Sequence, residues 1–317
     1  MYRAAIRRQW LKLKSCKEFH FALMAAMGLA QTGLAGPGAD CRITNSVLSV
    51  ATSTRDAGAI CSIVFAGKEL VNDYDHGRQV QVAWTYNNLG ESYNPTEAGS
   101  RGDSLGNVSS STVVAASAKE ATLATTSHPA HWWYPGTNGN PGNHRADNTA
   151  VRTKDLLKKT ITLGYTGDPH VIVFDAEITV SAELTGPAPK EIRTQVPACY
   201  TDFELTEHAL FNRTTGVYQK SSAGVPQRAK DRQRVPIINS PDGRYAVGLY
   251  TAQTKHFLDY TTRANPRPIP GCACHKLTLH FEHPVQVGRT YAYRSFLVIG
   301  DLETVKASLK KLPGSQS

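Results

Sequence analysis

The most constraining feature of this chain is a two-residue alternation of apolar and polar side chains that recurs from Arg42 to Ile299. In its clearest instance Gln79, Gln81, Ala83 and Thr85 alternate with Val80, Val82, Trp84 and Tyr86. That period turns one polar and one apolar row to opposite faces of a strand. Further runs cover Arg42–Thr54, Ala59–Phe65, Thr112–Ala118, Ala121–Thr126, Lys159–Tyr165, Val171–Ala182, Ile192–Ala198, Tyr245–Thr251, His256–Thr261, Lys276–Glu282 and Tyr291–Ile299. Short turns such as Thr166-Gly167-Asp168-Pro169 and Pro241-Asp242-Gly243 separate many of them. The clear helical pattern is Leu302–Leu312, with Asp301 as N-cap and Lys306, Lys310 and Lys311 toward the end where the dipole favours cations. Strand after strand with one terminal helix predicts an all-β fold, a large antiparallel β-sandwich with a short C-terminal helix. Two stretches, Pro135–Ala150 and Lys220–Pro236, read as long loops, which in a compact domain are usually functional or mobile.

The first 39 residues follow a different logic. Arg3, Arg7, Arg8, Lys12, Lys14 and Lys17 stand against the single acid Glu18, an apolar run extends from Phe19 to Ala30, and small residues close it. That order predicts a cleavable signal peptide over 1–39, a single β-sandwich domain over 40–317, and a secreted or periplasmic protein. The apolar run is shorter than the roughly 20 residues a bilayer requires, so no stable membrane insertion is expected. The whole chain carries 35 Lys+Arg and 26 Asp+Glu, a formal +9. Removing the leader leaves 29 basic and 25 acidic groups, a formal +4, so the basic balance belongs largely to the leader. Nucleic-acid binding is therefore not expected. In an oxidising compartment Cys41, Cys61, Cys199, Cys272 and Cys274 are expected to form disulfides, Cys41 with Cys61 and Cys199 with Cys272 or Cys274. The one-residue spacing in Cys272-Ala273-Cys274-His275 does not match a zinc knuckle.

The unit Gly58–Glu69 resembles the first hairpin of galactose-mutarotase-like supersandwich proteins, and Gly288–Tyr291 through Phe296–Val298 with the helix that follows resembles their last strand. The resemblance covers most of residues 40–317 in strand count and order. It implies a β-supersandwich. The group includes aldose epimerases and domains of polysaccharide lyases and glycoside hydrolases, so it implies sugar handling more than one reaction.

Polar side chains crowd two segments. Between Asp73 and Asp103 lie Arg78, Gln79, Gln81, Glu91, Asn94, Glu97 and Asp103. Arg78, Gln79 and Asn94 suit sugar hydroxyls, and Glu91, Glu97 and Asp103 suit proton transfer. The second segment is His128-Pro129-Ala130-His131-Trp132-Trp133-Tyr134. Three consecutive aromatics cannot all face one side of a strand, so Trp132, Trp133 and Tyr134 offer a stacking platform, with Tyr200 as a further contact. His131 is the candidate general acid or base. His128, His131, His144 and Asp147 have no specific metal spacing, so neither metal nor cofactor is expected. No Gly-x-Ser-x-Gly elbow, phosphate loop or dinucleotide fingerprint is present.

Together these residues predict a carbohydrate ligand or substrate and an enzyme acting on a poly- or oligosaccharide. Hydrolysis requires two carboxyl groups about 5–5.5 Å apart when retaining or 6.5–9.5 Å when inverting. Lyase chemistry requires a base and a group, here Arg78, that neutralises a uronate. Epimerases of the resembled group pair a histidine with a late-strand glutamate, and Tyr250–Thr254 has none. A non-catalytic glycan-binding protein using the same cleft is the alternative.

Overall fold

The computed structural model describes residues 40–138, 145–221, 227–266 and 271–314. The leader and His144 lie outside the described residues. The strands are β1 Cys41–Thr44, β2 Leu48–Thr52, β3 Ile60–Phe65, β4 Lys68–Glu69, β5 Val80–Tyr86, β6 Pro95–Thr96, β7 Thr112–Lys119, β8 Thr122–His128, β9 Ala130–His131, β10 Leu156–Tyr165, β11 Asp168–Thr179, β12 Glu191–Asp202, β13 Glu207–Asn212, β14 Tyr218–Lys220, β15 Gln227–Ala229, β16 Arg234–Asn239, β17 Ala246–Tyr250, β18 Phe257–Asn265, β19 Cys274–Pro284 and β20 Thr290–Gly300. The one α-helix among the described residues is α1, Leu302–Lys311.

The strands form an 11-stranded and a 9-stranded antiparallel sheet. The first runs β1-β2-β3-β5-β12-β19-β18-β15, with β4, β6 and β9 attached off this path. The second runs β14-β13-β16-β17-β20-β11-β10-β8-β7. The apolar rows Val80, Val82, Trp84 and Tyr86 of β5 and Leu277, Leu279 and Phe281 of β19 join one buried core with Ile161, Phe174, Ile178 and Phe296 of the second sheet. The all-β sandwich read from the alternation is the observed fold. Helix α1 is capped by Asp301, whose carboxylate accepts the Thr304 N–H at 2.8 Å. Its Val305 packs onto β17 at Gly248, where an added Cβ would stand 2.9 Å from the valine.

Three local expectations are corrected. Arg42–Thr54, read as one run, is the β1–β2 hairpin, because Asn45 Oδ1 accepts the N–H groups of Val47 and Leu48 and turns the chain. Lys220–Pro236, read as a loop, contains β15 and the start of β16. The expected disulfides are absent: all five cysteines from Cys41 onward are buried free thiols. Register explains this. Cys41 lies opposite Thr52, and Thr52 opposite Ile60, so β2 separates Cys41 from Cys61. Two strand spacings amount to about 9.6 Å, beyond the ~7 Å that a disulfide spans between Cα atoms. Cys199 faces Leu277 while Cys274 faces Asp202, three residues further along, or about 10 Å. No helix among the described residues is long and apolar enough to cross a membrane.

Candidate functional site

β5, β12, β19 and β18 lie side by side, and their register sets Ala83, Gln195, His280 and Asp259 on one rung. Neighbouring rungs carry Thr85, Arg193 and Glu282 on one side and Gln81, Ala198 and Thr278 on the other. Since Val82, Ile192, Leu277 and Leu279 enter the core, these rows face away from the second sheet. A bulge between Gln195 and Ala198 shifts the parity of β12, so that Ala198 and Tyr200 share the face of Arg193 and Gln195. A cavity of about 310 Å³ lies on this face. Gln81, Thr85, Asn94, Trp132, Arg193, Gln195, Tyr200, Lys276 and His280 line it, with the exposed Glu91 as the one lining carboxylate among the described residues.

His280 carries the acid–base capacity of the cleft. Its Nδ1 lies 2.7 Å from Asp259 Oδ1. Asp259 Oδ2 accepts from Arg228 Nε at 2.6 Å. Burial pushes Asp259 up, but its bonds to His280 and Arg228 outweigh that and hold it below the usual carboxylate range. An ionised Asp259 accepts a proton from Nδ1, which leaves Nε2 as the basic nitrogen. Among the described residues Nε2 has no hydrogen-bond partner. Burial lowers the His280 pKa, Asp259 opposes this, and Arg193 and Lys276 add to the lowering. The ring is therefore neutral at pH 7 and able to accept a proton.

The remaining wall is polar with one aromatic side. Lys276 Nζ donates to Gln195 Oε1 at 2.7 Å and lies 4.9 Å from the Tyr200 ring centroid. The Trp132 N–H donates to Asn94 O at 2.7 Å, which ties the Trp132 segment to the loop after β5. The Trp132 indole lies against Gly77, where an added Cβ would stand 2.7 Å from the ring. Glycine is needed there for this approach.

Of the residues expected from sequence, Glu91, Asn94, Trp132 and Tyr200 line the cleft. The others are held elsewhere. Glu97 is completely buried, ion-paired to the equally buried Lys159 and accepting the Val82 N–H at 2.9 Å, so its carboxylate is an internal anchor. His131 is also fully buried, with Nε2 3.0 Å from Thr185 Oγ1, its ring stacked on Tyr93, and burial pushing its pKa down to about 4. Asp103 clamps a loop: its carboxylate accepts from Ser100 N, Ser110 N, Ser110 Oγ and Tyr134 OH. Gln79 is buried, its amide donating to Asp56, Asp73 and the Asp75 carbonyl. Arg78 is paired with Asp75 and lies 5.7 Å from the Tyr74 ring, leaving its neighbour Gly77 to line the cleft. Trp133 stacks on Arg101, and Tyr134 is tied to Asp103, so the three aromatics form no single platform. They follow the end of β9 in irregular chain, and of the three only Trp132 lines the cleft.

Sequence reasoning passed over Arg193, Gln195, Lys276 and His280. The signal was present: Lys276, Thr278, His280 and Glu282 alternate with Leu277, Leu279 and Phe281, the pattern recognised in β5. Asp259 lies within the predicted strand run His256–Thr261. Among the described residues, Asp56, Cys61 and Asp73 are the one group whose ligand atoms lie close enough to hold a metal ion, all within 4.8 Å. Arg55 already bridges both carboxylates at 3.1 Å, and the Gln79 amide donates to both, so these oxygens are already engaged by internal donors.

No family model matches the chain, and no curated protein matches it. The solved structures it is similar to include a galactose mutarotase related enzyme from Lactobacillus acidophilus, at 6% identity and TM-score 0.46, covering 83% of this chain and 98% of that one. A heparan sulfate lyase from Pedobacter heparinus is similar at 8% identity and TM-score 0.47, over 94% of this chain and 41% of that chain. A 4-alpha-glucanotransferase from Thermococcus litoralis is similar at 9% identity and TM-score 0.44, over 84% and 38% respectively. The galactose-mutarotase-like group named from the sequence is thus among them. At these identities and TM-scores the likeness says nothing of chemistry.

Proposed function

We propose that the protein binds a saccharide in the β5–β12–β19 cleft and that His280 Nε2 removes a proton from it. The observation that carries this is the Asp259–His280 pair in a 310 Å³ hollow lined by one indole, neutral amides and two cations. An indole face meets sugar C–H groups, and amides satisfy ring hydroxyls. An imidazole oriented by a carboxylate is an established form of general base. Hydrolysis by a carboxyl pair is not supported, because among the described residues Glu91 is the only carboxylate lining the cleft and Asp259 is engaged by His280 and Arg228. The reading therefore favours elimination or epimerisation, reactions that begin with proton removal. Export belongs to the same proposal and rests on the basic, apolar and small-residue order of 1–39.

The test is turnover by the full chain on a glycan panel, following reducing ends, unsaturated products and solvent proton exchange together. Wild type should turn over at least one glycan, and His280→Gln should lose at least a hundredfold in kcat while retaining glycan binding. Undiminished turnover by His280→Gln overturns the assignment.

A further inference from the structure

Arg193 and Lys276 stand in the cleft without an ion pair among the described residues. The Arg193 side chain makes no hydrogen bond or ion pair among the described residues. Its partner in register is Glu282 on β19, yet the two form no ion pair. Lys276 has one hydrogen-bond acceptor, the neutral Gln195 amide oxygen, and its other close neighbour is the Tyr200 ring. Both side chains are half-buried. Other cations are matched: Arg228 by Asp259, Arg78 by Asp75, Arg55 by Asp56 and Asp73, and Lys159 by Glu97.

Withdrawing a charge from water is costly unless an opposite charge meets it. A guanidinium presents a planar fork that fits a carboxylate in two parallel hydrogen bonds. The groups that face His280 are Asp259 from β18, Arg193 from β12, Lys276 from β19, and Arg228 from β15 acting through Asp259. Arg228 and Asp259 balance each other, leaving Arg193 and Lys276 with the exposed Glu91 and with Glu282, neither of which pairs with them.

We infer that the cleft takes an acidic saccharide, a uronate, whose carboxylate is received by Arg193 and Lys276 beside His280. This rests on the saccharide reading above and narrows it to a substrate class. Salt should weaken binding of such a ligand, since part of its affinity is screened Coulomb attraction.

The probes are galacturonate, glucuronate, mannuronate and guluronate tetramers, each paired with its carboxyl-reduced neutral counterpart, titrated calorimetrically into the full chain at two salt concentrations. The expected result is that at least one acidic tetramer binds, and that its neutral partner binds about ten- to hundredfold more weakly. Arg193→Gln and Lys276→Gln should each shrink that ratio, weakening the acidic tetramer more than its neutral partner. Two results overturn the inference while the saccharide reading stands: a neutral tetramer that binds as tightly as its acid, or an acid preference that survives both substitutions. Silence across the whole panel overturns the saccharide reading itself. Because both side chains sit on the outer row of the sheet, the variants should unfold at the wild-type temperature, which circular dichroism checks.

Discussion

Glu97→Gln separates an internal anchor from a catalytic acid. Both side chains of the Glu97–Lys159 pair are 0% exposed. Glu97 Oε2 also accepts the Val82 N–H at 2.9 Å, and Lys159 Nζ donates to the Gly58 carbonyl at 2.7 Å. The pair therefore joins β5, β10 and the turn before β3 across the core. Glutamine keeps an oxygen for Val82 but turns an amide or a neutral oxygen toward a buried ammonium. Breaking one side of such a pair costs about 3–5 kcal/mol, because the remaining charge is uncompensated. At roughly 2–4 °C per kcal/mol, a conservative conversion for a chain of this size, the unfolding midpoint should fall by about 6–20 °C. The companion variant Glu97→Leu with Lys159→Met removes both charges and should recover most of that loss. Differential scanning calorimetry reads the midpoints, and turnover measured well below them reads catalysis. An unchanged midpoint with abolished turnover in Glu97→Gln would refute the reasoning and restore Glu97 as a catalytic carboxylate.

Two further outcomes follow from burial of histidines. The folded His131 pKa is about 4 against an ordinary 6.5, so the unfolded chain binds more protons between those values and stability falls as pH drops through that window. The integrated loss is about 3 kcal/mol by pH 4, and denaturant titrations at pH 7 and pH 4 should show it shrink in His131→Gln. For His280, whose pKa lies below the ordinary histidine range, kcat/KM should be flat near pH 7 and fall only at acid pH as Nε2 is protonated. A limb at or above the ordinary histidine value would contradict that, as would an unchanged limb in Asp259→Asn.

The fold was legible because alternation is a local consequence of strand geometry. Gln81, Ala83 and Thr85 against Val82, Trp84 and Tyr86 already placed a polar row beside an apolar one, and that row lines the cleft. Register was not legible. Arg193 and Lys276 are 83 residues apart in sequence, and only the pairing of β12 with β19 brings their strands together. Crowding of polar residues along Asp73–Asp103 misled for a physical reason: Gln79 is spent on Asp56, Asp73 and the Asp75 carbonyl, Glu97 on the Val82 N–H and Lys159, and Asp103 on loop closure. Buried polar groups must be satisfied, and a sequence does not say whether the partner is internal or a ligand. The disulfide expectation failed on the same ground, since β2 between Cys41 and Cys61 appears only once the hairpin is folded.

The most direct test of the cleft assignment is a structure of the protein with an acidic oligosaccharide bound. A sugar ring should lie against Trp132 with a carbon-bound hydrogen directed at His280 Nε2. A saccharide seated elsewhere, or one with its reactive carbons turned away from His280, contradicts the account.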